Sequence, residues 1–203
     1  MQRRDLMAGL GAAAIIPKAT WADAYNPAFL SAARHPNGTY HLCGLAVDGS
    51  VLFSLPIPYR GHAAAAHPER PEAVAFARRP GRFAVVVNCV DGTEVTTRLT
   101  PPTNRHFYGH GVFSQDGSVL FTTENDLDTL EGRIGLWDAT AGYVRIGDIP
   151  SGGIGPHDIT RLPGTDILVV ANGGIETHPE TGRSPLNLAT MRSNLSYIDA
   201  DGD

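Results

Sequence analysis

Apolar and polar residues alternate in short runs along most of the chain, and turn residues separate the runs. Four such runs follow one another in HGVFSQDG (110–117), VLFTTEND (119–126), GRIGLWDATAG (132–142) and YVRIGDIPS (143–151). Alternation with a period of two over such lengths is typical of β-strands with two different faces. The pattern therefore predicts four consecutive strands joined by tight turns.

The same series of runs repeats along the chain. It restarts in HDITRLPG (157–164), and an earlier copy covers 62–102, from HAAAAHPERPE to TEVTTRLTPP. A histidine opens each copy, so that His62, His110 and His157 are spaced by 48 and 47 residues. Four short strands per unit with a period near 47 residues are typical of a β-propeller blade.

We therefore predict an all-β fold over residues 25–203, a β-propeller of four-stranded blades with about three and a half blades present. An immunoglobulin-like sandwich is the alternative, but it would not repeat a histidine at every fourth strand. The first unit, from Phe29, lacks its innermost strand, and the chain ends at Asp203 before the fourth strand of its last unit. We expect the natural ring to continue through further blades.

The N-terminus, MQRRDLMAGLGAAAIIPKATWADA, has the features of an export signal. Arg3 and Arg4 precede a short apolar run, and Ala22-Asp23-Ala24 is a small-residue cleavage site. The pattern predicts a signal peptide over 1–24 of the twin-arginine type, a periplasmic location and no membrane anchor after cleavage. An ordinary secretory signal, which would lead to the same compartment, is the alternative.

Charge and cysteine content narrow the function classes. The formal net charge is −5 and no block of Lys or Arg lies beyond the first residues, which excludes a nucleic-acid surface.

Cys43 and Cys89 stand at different offsets from equivalent Asp-Gly turns, which separates them by roughly 10 Å and argues against a disulfide. We expect two buried free thiols.

The repeat also sorts the unusual polar residues onto one rim. In a propeller blade the loop before the first strand and the loop between strands two and three share a rim. On that rim we place the candidate ligand-binding residues, which are Arg60, His62, Arg105, His110, Glu124, His157, Asn172, Glu176 and His178. Three channel-lining imidazoles with carboxylates nearby could bind a transition metal through His62, His110 and His157. The alternative is a structural histidine of the WD-repeat kind, since Trp137-Asp138 ends a third strand.

Other chemical motifs are weak. Asp126, Asp128 and Glu131 lie within six residues, but the spacing of an EF-hand is missing. SGGIGPHD is rich in glycine, but no helix follows it, so a nucleotide-phosphate site lacks its context. The serines form no Gly-x-Ser-x-Gly elbow, which leaves a hydrolase triad without a nucleophile.

Several long motifs carry a resemblance to a known family. RGHAAAAHPERPEAVAFARRPGRFAVVV, FYGHGVFSQDGSVLFTTEND, SGGIGPHDI and VVANGGIETHPETGR together resemble the exported bacterial proteins of domain of unknown function 1513. These are propellers of the YVTN and quinoprotein-amine-dehydrogenase-like class. The resemblance implies twin-arginine export, a seven-bladed ring and a link to iron handling through neighbouring genes. It supplies no catalytic residue.

The function that we predict is binding. A periplasmic propeller would bind a small-molecule ligand or a periplasmic protein partner at its histidine-bearing rim. The alternative is a metal-dependent enzyme, an oxidoreductase or a hydrolase, with His62, His110 and His157 as metal ligands and Glu124 as base.

Overall fold

The computed structural model describes residues 18–78, 82–96, 98–182 and 184–199. The predicted signal peptide lies outside the described residues up to position 17. Within the described ranges the chain forms β-strands and two short 3-10 helices, Trp21–Ala24 and Pro179–Thr181. No helix in these ranges has the length and apolar character needed to cross a membrane.

The strands form four separate antiparallel sheets, which are the predicted blades. Strands that are consecutive along the chain pair with one another in each sheet. The first blade consists of β1 (Phe29–Arg34), β2 (Tyr40–Leu45) and β3 (Val51–Ile57), and the second of β4 (Gly61–Ala66), β5 (Glu72–Ala77) and β6 (Ala84–Asn88). The third consists of β7 (Arg105–Phe113), β8 (Val119–Asp126), β9 (Gly132–Asp138) and β10 (Val144–Pro150), and the fourth of β11 (Pro156–Arg161), β12 (Leu168–Asn172) and β13 (Asn194–Ile198).

One predicted strand is largely missing. In the described part of 93–102, which leaves out residue 97, the expected fourth strand is reduced to two isolated bridges, Ala84 with Leu99 and Val87 with Glu94. This segment is the outermost of its blade, where a strand has a partner on one side only. The third blade has all four strands, as its sequence predicts.

Alternation within the strands builds a core between neighbouring blades. In β8 the side chain of Leu120 packs with Phe107 in the cluster that joins the second and third blades. The next residue, Phe121, packs with Ile159 in the cluster that joins the third and fourth blades. Successive side chains of a strand point to opposite faces, so that one strand supports both of its neighbours. Burying each of these two side chains contributes about 1.5–3 kcal/mol.

The stacking brings the first strands of three blades side by side. Strand β7 contacts β4 on one side and β11 on the other. Residues that open these strands therefore meet, although they are far apart in sequence.

Two further predictions concern cysteines and the long insertion. Cys43 and Cys89 are both free and buried, as predicted, and burial raises the pKa of the Cys89 thiol to about 12. The sequence predicts that the insertion 172–193 is a loop, because Pro179, Gly182 and Pro185 interrupt any helical period, with at most a short helical turn over 186–192. Within its described residues the insertion is a loop, and its helical turn is the 3-10 helix Pro179–Thr181. Pro179 begins that helix, a position where the missing N–H of proline has no cost.

Residues 21–24, which the sequence assigns to the signal peptide, pack against the second blade. Ala24 is fully buried, and the indole Nε1–H of Trp21 donates to the carbonyl of His67 over 2.8 Å. A cleavage after Ala24 would remove these contacts.

Candidate functional site

Each of the three repeated histidines lies where the pairing of its strand is interrupted. The register shifts between Gly61 and Ala64 in β4, between Phe107 and Gly111 in β7 and between Pro156 and Asp158 in β11. Such bulges change the direction of a side chain and are frequent beside active sites. The repeat therefore places an irregular backbone, as well as a histidine, at the same point of three blades.

The three imidazoles come together in space. The ring centroids of His62 and His110 are 4.9 Å apart, those of His110 and His157 5.5 Å, and those of His62 and His157 6.3 Å. Because His110 and His157 begin the first strands of adjacent blades, the repeat predicts that they lie close together at the channel mouth, and the distance between their rings confirms this. We refer to these three residues as the histidine mouth.

Two polar contacts define the geometry of His110. Its Nε2 lies 3.2 Å from Nε2 of His62, and its Nδ1 lies 2.9 Å from Oδ1 of Asp158. A carboxylate only accepts hydrogen bonds, so the contact assigns a proton to Nδ1 of His110. In the neutral ring Nε2 then carries the lone pair, which faces His62.

Burial keeps this imidazole neutral. It lowers the pKa of His110 below its usual value, while the Asp158 carboxylate opposes that shift and the neighbouring His157 adds to it. The neutral form of His110, which burial favours, can act as a base or as a metal ligand.

Gly109 makes the close approach of the rings possible. Its φ is +105°, a conformation that residues with a side chain rarely adopt, and a Cβ atom here would lie 2.7 Å from Cδ2 of His62. The Gly-His pair in the sequence therefore has a structural reason.

A cavity of about 610 Å³ opens beside the histidine mouth. Its walls come from three blades and from the 172–193 insertion, with polar and apolar positions mixed. The lining residues are His62, Arg78, Tyr108, Gly155, His157, Ala171, Asn172, Gly173, Ile175, Thr177 and Pro185. None of these described lining residues is acidic.

Glu124 lies in a different environment from the one predicted. Its side chain is fully buried, and its carboxylate pairs with Arg145 over 3.0 Å and accepts a hydrogen bond from the hydroxyl of Thr122 over 3.0 Å. Burial raises the pKa of Glu124 to about 7, against the opposing charge of Arg145. The structure therefore brings Glu124 to an arginine, not to the histidine mouth, and its role as a base stays a prediction.

Arg105 belongs to the same group of charges. It pairs with Asp126 over 3.1 Å and with Asp148 over 3.5 Å, and its Nη1 is buried without a hydrogen-bond partner. Asp126 also accepts hydrogen bonds from the amides of Asp128 and Thr129. The acidic loop is therefore a turn whose position is stabilised by the ion pair between Asp126 and Arg105.

The remaining predicted site residues fall into two groups. Asn172 lines the cavity, but its amide also bonds Ser151, which fixes its orientation. Arg60, Glu176 and His178 are outside the described lining. His178 accepts a hydrogen bond from the amide of Glu180 and caps the 3-10 helix of the insertion.

Sequence reasoning missed four residues at the site. They are Asp158, Arg78, Tyr108 and Thr177. Asp158 directly follows His157, so the His-Asp pair in the sequence was an available signal. Tyr108 lies 3.4 Å from Thr177, a contact between the third blade and the insertion.

Trp137 and His110, which the WD-repeat interpretation groups together, have different polar partners in the structure. The indole N–H of Trp137 donates to the hydroxyl of Thr122 over 3.0 Å. His110 instead bonds Asp158, an exposed residue of the next blade.

Among the residues that the structure describes, no group of three or more His, Cys, Asp or Glu side chains is arranged to hold a metal ion. The histidine mouth therefore offers two imidazole nitrogens at close range and a third ring farther away.

Comparison with protein families assigns the chain. The model described as "Protein of unknown function (DUF1513)" matches residues 55–203. The chain belongs to the DUF1513 family. No curated protein matches the sequence.

A solved structure with a TM-score above 0.5 supports the fold of this family member. A chain of Kuenenia stuttgartiensis hydrazine synthase aligns with a TM-score of 0.58 and 13% identity, over 79% of this chain and 40% of that chain. The Dos1 propeller aligns with a TM-score of 0.47 and 10% identity, over 72% and 43%. Dihydro-heme d1 dehydrogenase NirN aligns with a TM-score of 0.46 and 11% identity, over 83% and 37%. The chain thus spans less than half the length of these proteins, and the likeness concerns the fold alone.

Proposed function

We propose that this DUF1513 propeller is a binding protein whose cavity beside the histidine mouth takes a small organic anion. One observation carries the proposal. Three histidines, from equivalent bulges of three blades, converge beside a cavity of about 610 Å³ that contains an arginine. Pockets of this size with a few convergent polar groups are the usual sites for small ligands.

The charges of the lining favour an anion. Arg78 contributes a guanidinium, and no described lining residue supplies a carboxylate that would neutralise it within the cavity. Arginine binds carboxylates in a bidentate manner, which gives both orientation and affinity.

The other residues that line the cavity favour an organic anion with an apolar or hydroxylated part. Ala171, Ile175 and Pro185 supply apolar surface, while the Tyr108 hydroxyl and the Thr177 side chain supply hydrogen-bonding groups. A ligand with a carboxylate at one end and an apolar or hydroxylated body matches this distribution.

The proposal includes the cell compartment. The paired arginines and the apolar run that follows them support export by the twin-arginine route, so that the ligand would be met in the periplasm. The link to iron handling that the family resemblance implies would make an iron-chelating acid a natural ligand.

The enzyme alternative has less support. A general base must lie within hydrogen-bond reach of the group that it deprotonates. The carboxylate of Glu124 is held by Arg145 in the interior of the third blade.

Calorimetry with simple acids tests the proposal. The probes are acetate, benzoate, succinate and citrate, titrated into tag-free protein that has been passed over a chelating resin to remove metals. We expect one of the acids to bind with a stoichiometry of one. Arg78→Gln should weaken its binding by about tenfold or more, the worth of a charge-assisted hydrogen bond.

Arg60→Gln is the matched control, because it removes the same charge from an exposed position near Arg78 that does not line the cavity. Its effect should stay within about twofold. Equal weakening by both variants, or no binding of any acid, would refute the proposal.

A further inference from the structure

The contact between His62 and His110 is open to two explanations. Their Nε2 atoms are 3.2 Å apart, which fits an N–H···N hydrogen bond. The spacing also fits two ligands of one metal ion, because a tetrahedral ion with metal–nitrogen bonds of about 2.0–2.1 Å holds its ligand atoms about 3.3 Å apart. The distance between the two Nε2 atoms would therefore need little change for both to bind one metal ion.

The other nitrogen of His110 favours the second explanation. Histidines that bind metals usually donate their second ring N–H to a carboxylate, which fixes the tautomer and the ring orientation. Nδ1 of His110 has this partner in Asp158 at 2.9 Å. The carboxylate comes from the next blade, so that it also locks the position of the ring relative to β11.

The surroundings leave space for further ligands of the ion. His62 is exposed and lines the cavity, whereas the ring of His157 lies farther away, with centroid distances of 5.5 and 6.3 Å to the pair. Two protein nitrogens would thus be completed by water or by an added ligand from the cavity side. This is consistent with the absence of a preformed group of three donors among the described residues.

We propose that Nε2 of His62 and Nε2 of His110 together bind one divalent first-row transition-metal ion, with Asp158 as the positioning residue. Imidazole nitrogen is a preferred ligand of zinc, copper, nickel and iron. The proposal goes beyond anion binding and does not depend on it. An ion at this position would add positive charge beside Arg78 and so strengthen the attraction for an anion.

Cobalt is a suitable probe, because Co²⁺ absorbs visible light in a way that reports its ligands. The experiment uses the tag-free chain without any added acid, and follows both the heat of Co²⁺ binding and the visible spectrum. We expect one Co²⁺ per chain. His62→Ala and His110→Ala should each weaken binding by about 100-fold or more, since each removes one of two protein ligands.

Asp158→Asn tests the positioning role. It should keep the stoichiometry, weaken Co²⁺ binding by about tenfold to 100-fold and shift the visible bands, since the altered hydrogen bond changes the basicity of His110. A variant that leaves both affinity and spectrum unchanged would refute the role of Asp158.

His157→Ala is the matched control at the same mouth, and its effect on Co²⁺ binding should stay within about threefold. Thermal unfolding of every variant shows whether the fold survives, and His62→Ala, at an exposed position, is the variant that does not depend on this check. No saturable binding in the unmodified chain, or an equal loss in His157→Ala, would overturn the assignment. Because the acids are titrated without metal and Co²⁺ without acid, failure of one proposal is visible separately from failure of the other.

Discussion

The histidine mouth and His67 show how one residue type serves two purposes at two places in the propeller. His67 is 2% exposed, and both of its ring nitrogens are used by the backbone. Nδ1 accepts from the amides of Glu69 and Arg70, and Nε2 lies 3.1 Å from the carbonyl of Gly117 in the next blade. His62 and His157, by contrast, are exposed, and His110 meets another imidazole and an exposed carboxylate.

The difference lies in what the ring nitrogens contact. Backbone groups around His67 have fixed positions, so this ring joins two blades and has no capacity for a ligand. At the mouth the partners are side chains at the edge of a cavity, which can exchange one partner for another. Fixed backbone contacts therefore indicate a structural histidine, and side-chain contacts beside a cavity indicate a binding one.

The largest expected effect comes from His67. His67→Ala should lower the free energy of unfolding by about 2 to 4 kcal/mol, because it leaves a carbonyl and two amides unpaired and removes a buried ring. Urea unfolding measures the change. A loss below about 0.5 kcal/mol would contradict the structural role of His67.

Protonation of His67 should also lower the free energy of unfolding. Burial, aided by the charge of Arg70, lowers the pKa of His67 below its unfolded value of 6.5. Between the two values the unfolded chain binds a proton that the folded chain does not, so the stability contributed by His67 is present above pH 6.5 and is lost as the pH falls. In His67→Gln the free energy of unfolding should therefore fall less steeply as the pH drops below 6.5. An unchanged pH dependence in this variant would count against the explanation.

Glu124 should give the opposite pH dependence, because its contribution to stability is lost as the pH rises. Burial raises its folded-state pKa to about 7 from its usual value of 4.5, so its stabilising contribution is full below pH 4.5 and is lost as the pH rises through 7. Glu124→Gln should remove this decline, which amounts to about 1 to 3 kcal/mol. Urea unfolding at several pH values between 4 and 8 measures it, and a decline that persists in the variant would show that another group causes it.

Trp21 provides a further test of the structural contacts around His67. Trp21→Phe removes the hydrogen bond to the His67 carbonyl but keeps an aromatic ring, so the loss of stability should be about 1 kcal/mol. Thermal unfolding of the chain with and without the substitution provides the measurement. If the two proteins unfold at the same temperature, the hydrogen bond from Trp21 to the His67 carbonyl does not stabilise the blade.

The smallest effect is expected at the mouth itself. His157 is exposed, so His157→Ala should change the free energy of unfolding by less than about 0.5 kcal/mol. Urea unfolding beside His67→Ala gives the direct contrast. A loss as large as that of His67→Ala would show that His157 has a structural role like that of His67.

The sequence predicts the meeting of the three histidines because a repeat places equivalent residues at equivalent points around one axis. It does not predict the pairing of Asp158 with His110. Strict alternation would put His157 and Asp158 on opposite faces, and the bulge between Pro156 and Asp158 changes that direction.

The environments of Glu124 and His67 also escape sequence reasoning. Glu124 was expected on the exposed rim, but pairing of β8 with β7 continues as far as Asp126, which carries Glu124 into the blade interior. His67 depends on the backbone of Gly117, which is 50 residues away. Contacts of this kind follow from how two blades pack, which no local pattern encodes.

NMR of the imidazole nitrogens during a Co²⁺ titration tests most directly whether the mouth is a binding site. The tag-free chain would be titrated with less than one equivalent of Co²⁺, and the long-range ¹H–¹⁵N signals of its histidines recorded. We expect the signals of His62 and His110 to broaden first, because the ion binds to their Nε2 atoms, while the signal of His67, which follows the far end of β4, is not broadened. Unchanged signals at His62 and His110, or broadening of His67 to the same extent, would contradict the distinction between a binding and a structural histidine.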